Sequence, residues 1–119
     1  MLRKLSLVAA LVAALAAFVA VPAFAHSSHA TGTTVKVAAL DTLKFTLSTK
    51  TVHPGSVTFV VTNKGHLAHD FKIAGKKTPL LKGGKSAKIT VTLKAGKYPY
   101  SCTVPGHAAA GMKGVLTVK

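Results

Sequence analysis

Cys102, His107 and Met112 lie on one short segment, with four residues between each successive pair. A thiolate, an imidazole and a thioether are soft to borderline donors, and as a set they suit copper. Val104-Pro105-Gly106 forces a turn between the cysteine and the histidine. A loop of this length can fold back until all three side chains meet at one point. Two histidines and a cysteine in a plane, with a weak axial methionine, form a copper site suited to one-electron transfer. The segment supplies three of those four ligands, so another histidine must come from elsewhere.

The candidates are His26, His29, His53, His66 and His69. His26 and His29 sit in a polar lead, and His53 sits in a His-Pro-Gly turn. His66 and His69 follow the turn Asn63-Lys64-Gly65, and His69 directly borders the β-prone run Asp70-Phe71-Lys72-Ile73. A strand would fix its position, so His69 is the better fourth ligand and His66 is expected to be a solvated loop residue. Each residue alone has an ordinary structural explanation: a buried thiol, a core methionine, a loop histidine. The spacing and the upstream His69 make that joint coincidence the weaker account.

Such a loop needs a rigid frame. Short β-prone runs at 33–40, 43–49, 56–62, 70–74, 86–93, 97–103 and 114–119 are separated by Gly, Pro and Lys turns. Apolar and polar residues alternate cleanly in Val57-Thr58-Phe59-Val60-Val61 and in Ile89-Thr90-Val91-Thr92-Leu93. About seven or eight short strands at this spacing predict an all-β Greek-key sandwich. Only 108–112 could form a helical turn, and no internal repeat or interdomain linker is evident.

The first 25 residues are read as an export signal: Arg3-Lys4, an apolar run from Leu5 to Val21, then the small-x-small pattern Ala23-Phe24-Ala25. An uncleaved anchor is the alternative, although the run is short and alanine-rich against the about 20 apolar residues a span requires. Residues 26–32 are expected to be a flexible lead, and 33–119 one domain, which is enough chain for a single core. Localisation is therefore expected to be periplasmic or extracellular. Export exposes thiols to oxidation, yet Cys102 is the sole cysteine and cannot form an internal disulfide. A bound metal would account for keeping it.

The chain carries a formal charge of +14, with Asp41 and Asp70 its only acids. Such a field attracts anionic partners. Nucleic acid is a poor candidate, because beyond the leader there is no arginine to read phosphates or guanines bidentately. A simpler explanation is that the lysines keep a small exported domain soluble.

Two stretches, Val60 to Phe71 and Gly96 to Val118, resemble the cupredoxin family, the plastocyanin-like or blue type 1 copper proteins. Tyr-x-Tyr-x-Cys at Tyr98, Tyr100 and Cys102, Pro-Gly-His at 105–107 and His-Asp-Phe at 69–71 make the resemblance specific. It implies a two-sheet sandwich with one copper ion at its end, cycling between Cu(I) and Cu(II), with His69, Cys102, His107 and Met112 as ligands. It also implies that Asp70 bonds to the cysteine-bearing loop; Tyr98 and Tyr100 are read as core and packing residues rather than redox relays.

The implied function is one-electron carriage between redox partners, by a monomer with no small-molecule substrate. The partner is expected to carry an acidic docking surface, and loose association with an anionic membrane or envelope is a further expectation. Enzyme activity is not expected: Ser101 and Thr103 flank the cysteine where multicopper oxidases have histidines, and a binuclear electron-entry site needs two cysteines. The rival function is a copper chaperone or scavenger, which favours exposed methionine and histidine clusters; beyond the leader there is one methionine.

Overall fold

The computed structural model describes residues 14, 16–20 and 32–119. Most of the expected export signal 1–25 and of the lead 26–32, including His26 and His29, lies outside the described residues. No helix among the described residues is long and apolar enough to cross a membrane.

The strands are β1 (Thr33–Leu40), β2 (Lys44–Leu47), β3 (Thr51–Val52), β4 (Gly55–Asn63), β5 (Lys72–Ile73), β6 (Lys76–Lys77), β7 (Ser86–Leu93), β8 (Gly96–Ser101) and β9 (Lys113–Val118). They form a four-stranded sheet in the order β2-β1-β4-β7 and a five-stranded sheet in the order β3-β9-β8-β5-β6. Both sheets are mixed: β1 runs parallel to β4 and β3 parallel to β9, while the other pairings are antiparallel. The all-β sandwich expected from the strand spacing is the fold observed.

Alternation builds the core. In β4, Val57, Phe59, Val61 and Asn63 point inward, while the intervening Thr58, Val60 and Thr62 are less buried. Val35 and Val37 of β1, Val91 and Leu93 of β7, Tyr100 of β8 and Leu116 and Val118 of β9 join them in one apolar cluster. Burying each large aliphatic or aromatic side chain is worth about 1.5–3 kcal/mol, which makes this layer the main source of stability. Four rings lock the two sheets together. Phe71 meets Phe45 edge-on at a centroid distance of 5.2 Å and lies 5.4 Å from Phe59 and 5.5 Å from Tyr100.

The strands expected at 33–40 and 86–93 are observed with those bounds. The one expected at 70–74 shrinks to Lys72–Ile73, because the residues before it are drawn into other contacts. His69 forms an isolated antiparallel bridge with Leu81, its N–H donating to the Leu81 carbonyl at 3.0 Å and its carbonyl accepting from Leu81 N–H at 2.7 Å.

Candidate metal centre

Two loops at one end of the sandwich carry the expected ligands. The first leaves β4 at Asn63 and returns through His69. Asn63 is fully buried and knots this loop: its Nδ2 donates to the carbonyls of Leu67 at 2.6 Å and Leu81 at 2.8 Å, and its Oδ1 accepts from Gly65 N–H at 2.9 Å. Together with the His69–Leu81 bridge, this leaves the His69 backbone little freedom.

The second loop joins β8 to β9. Cys102 immediately follows β8 and Met112 immediately precedes β9, and the Cys102 N–H closes the loop by donating to the Met112 carbonyl at 3.0 Å. Inside it, Gly106 turns the chain at φ 83°, a conformation that glycine adopts without steric cost. Ala110 N–H then donates to the Gly106 carbonyl at 3.1 Å, and Met112 N–H to the His107 carbonyl at 3.0 Å. The helical turn expected at 108–112 is thus a run of hydrogen-bonded turns beginning three residues earlier, at Pro105.

The loops bring His69, Cys102 and His107 together, with one potential ligand atom from each lying within 4.8 Å of the others. Nδ1 of His69 and Nδ1 of His107 are 3.2 Å apart, and Cys102 Sγ is 3.5 Å from Nδ1 of His107. Donors bound to one transition ion at about 2.0 Å for nitrogen and about 2.3 Å for sulfur lie roughly 3–4 Å from each other, so these spacings fit a shared metal. His69 and Cys102 are buried, whereas His107 is half-buried and reaches towards solvent. Met112 is fully buried in a small cluster with Ala39 and Cys102, against Leu43, Phe45 and Val104. His66 lies on the exposed side of its loop, and His53 is exposed with its Nδ1 3.1 Å from the Lys119 carbonyl.

The electrostatics suit a metal site that is dry on one side. Burial pushes the His69 imidazolium below its ordinary pKa, with the nearby Asp41 carboxylate pulling the other way, so the ring is biased towards the neutral form that ligates metal. Burial pushes the Cys102 thiol up, partly opposed by the backbone N–H groups of Asp70 and Val104. A metal must therefore displace a proton from sulfur, and the two N–H groups are ready to stabilise the thiolate that results. Asp70 bonds to the cysteine-bearing loop as expected: its Oδ1 accepts Thr103 N–H at 2.6 Å, and its Oδ2 accepts the Thr103 hydroxyl. Tyr100 is buried in the core, and half-buried Tyr98 donates its hydroxyl to the Lys94 carbonyl at 2.8 Å. Both are packing residues.

Two residues that hold the site are hard to find by pattern: in the sequence Asn63 is only part of a turn, and Asp41 only one of two acids. Asp41 accepts the backbone N–H groups of His66 at 2.9 Å and Leu67 at 3.0 Å through Oδ1. Its isolation in so basic a chain was the one available signal.

A β-sandwich that brings two histidines and a cysteine together between two end loops has the architecture of a mononuclear blue-copper centre. The chain belongs to the cupredoxin-like domain family, whose match covers residues 9–118. The family and the donor set agree on one copper ion as the cofactor. Among curated relatives, the copper-resistant cuproprotein CopI of Rubrivivax gelatinosus is 31% identical over 110 residues, covering 72% of this chain and 66% of that protein. Rusticyanin of Acidithiobacillus ferrooxidans is 37% identical over 83 residues, 53% of each chain. Auracyanin-B of Chloroflexus aurantiacus is 52% identical over 42 residues, 34% of this chain and 18% of that one. The chain thus spans two thirds or less of the length of these curated relatives.

Solved structures agree on the fold. Dithionite-reduced auracyanin from Roseiflexus castenholzii superposes with a TM-score of 0.65 at 25% identity, over 73% of this chain and 97% of its own. Reduced rusticyanin superposes with a TM-score of 0.63 at 26% identity, over 74% of this chain and 79% of its own.

Proposed function

We propose that the protein is an exported one-electron carrier whose copper is held by His69, Cys102 and His107, with Met112 as the weak axial ligand. Copper supplies the Cu(I)/Cu(II) couple. The protein's residues supply a frame that does not rearrange between the two states, and a route for the electron. The observation that carries this reading is the contrast between ligands. His69 is buried and held by its backbone bridge to Leu81, and Cys102 is buried at the end of β8, while half-buried His107 stands in a loop among Gly106, Ala108, Ala109, Ala110 and Gly111. These small, uncharged neighbours let a partner approach the imidazole edge. The residues at 1–25 support export, and the auracyanin and rusticyanin relatives support electron carriage.

The similarity to CopI favours a second reading, in which the protein sequesters copper or hands it on. The buried, preorganised donors argue against ready metal release. Loading the purified domain with one equivalent of Cu(II) separates the two. A carrier gives an intense visible thiolate-to-copper band, absent in Cys102→Ser, and reversible one-electron voltammetry with the copper retained. A colourless complex, or copper lost to a chelator within each redox cycle, would refute electron carriage.

A further inference from the structure

The nitrogen of His69 that faces away from His107 has no partner. Nε2 is completely buried, and among the described residues it is the one buried side-chain nitrogen or oxygen without a hydrogen bond. A histidine that ligates metal through Nδ1 carries its proton on Nε2, and a buried N–H left without an acceptor is unfavourable. Asp41 Oδ1 lies 3.6 Å away, about half an ångström beyond a normal N–H···O contact.

Asp41 is held there by construction. It directly follows β1, whose parallel pairing with β4 continues to Ala39 opposite Asn63. Lys64 N–H then donates to the Ala39 carbonyl at 2.9 Å, which brings the start of the His69 loop alongside Asp41. The carboxylate takes the backbone N–H of His66 on both oxygens, at 2.9 and 2.8 Å, and that of Leu67 at 3.0 Å. Oδ2 also lies 3.3 Å from His66 Nδ1. A methyl group built on Gly65 would overlap the carboxylate, so the glycine is what allows so close an approach. The same carboxylate therefore fixes the loop and faces the unpaired nitrogen.

We infer that Asp41 is a positioning residue for the copper site: it accepts a hydrogen bond from His69 Nε2–H, holds the tautomer that leaves Nδ1 free for the metal, and places a negative charge beside the site that favours Cu(II). Partners behind metal-bound histidines generally fix ring orientation and raise ligand basicity. This inference rests on His69 being a ligand, as proposed above. His69→Gly tests that premise separately, since a wild-type visible band in that variant would remove His69 from the site whatever Asp41 does.

Two measurements test the inference itself. In the Cu(I)-loaded wild-type protein, nitrogen-15 NMR should find the His69 proton on Nε2, protected from exchange and hydrogen-bonded. A proton on Nδ1, or a rapidly exchanging Nε2 proton, overturns the proposal and needs no variant to fold. In Asp41→Asn, which keeps an oxygen to accept the loop amides but loses the charge, the visible band should persist. The ratio of Cu(I) to Cu(II) affinity should rise about tenfold, an upward shift of 59 mV in potential. A wild-type potential in Asp41→Asn, with the band intact, would leave Asp41 as a loop anchor only.

Discussion

Copper sites of this class are tuned by residues that contribute little to affinity, and Met112 is the first to test. A thioether accommodates Cu(I), whereas an amide oxygen is harder and favours Cu(II), so the axial ligand is one lever on potential. Met112→Gln should lower the potential and Met112→Leu should raise it, each on the order of 59 mV, or tenfold in the Cu(I)/Cu(II) affinity ratio. Voltammetry of three copper-loaded proteins with one common potential would remove Met112 from the site. The copper-free protein should record two other residues in its acid unfolding. Buried His69 titrates below its ordinary 6.5, so the stability it confers is present above that pH and is lost as the pH falls through its lowered folded value. The Asp41 carboxyl is held down at about 2 from 3.8, chiefly by the His66 and Leu67 amides, so its contribution is present above about 4 and is lost between there and 2. Acid destabilisation should therefore begin below 6.5 and gain a further contribution from Asp41 below about 4, which Asp41→Asn should remove. Denaturant unfolding at a series of pH values reads this directly, and an unchanged slope between pH 4 and 2 would contradict it.

Strands whose pattern is local were legible in the sequence, and those defined by distant partners were not. Thr33–Leu40 and Ser86–Leu93 carry their own alternation and form strands with those bounds. Thr51–Val52 and Lys76–Lys77 are strands only because Thr117–Val118 and Lys72–Ile73 pair with them, and two residues contain no period to read. The candidate site divided in the same way. Cys102, His107 and Met112 share one loop and could be recognised from spacing. Asp41 reaches the His66–Leu67 amides across 25 and 26 positions, a contact that only the parallel β1–β4 pairing creates. The same pairing logic makes Phe71 the mechanical link between site and core. It lies two residues beyond His69 and is fully buried against Phe45, Phe59 and Tyr100. Phe71→Ala should cost about 3–5 kcal/mol in denaturant unfolding of the copper-free protein. A loss under 1 kcal/mol would mean that the rings do not join the sheets as described.

Across the whole molecule the dominant feature is charge that nothing within the domain neutralises. Asp41 faces His66 and His69, Asp70 faces Thr103, and among the described residues neither forms an ion pair with a lysine. Lys72, Lys76, Lys77, Lys82, Lys85 and Lys88 are all exposed. Three of them sit on the β5–β6 edge, where Lys72 is paired with Lys77 on one side and with Ser101 on the other. Ser101 adjoins Cys102, so this basic edge lies beside the loop that carries His107, and we propose it as the dock for an acidic redox partner. Steering of this kind raises association rates about 10-fold or more and fades as salt shortens the screening length to about 8 Å near physiological ionic strength. Replacing Lys76 and Lys77 together by Glu should slow bimolecular electron transfer by about tenfold at low salt and flatten its salt dependence, with the copper spectrum and potential unchanged. The control is Lys36→Glu with Lys50→Glu, which removes the same net charge from β1 and from the β2–β3 connection. A localised dock predicts a much smaller effect there. Equal slowing by both double variants would mean that the net field alone does the steering and that the β5–β6 edge is no dedicated surface.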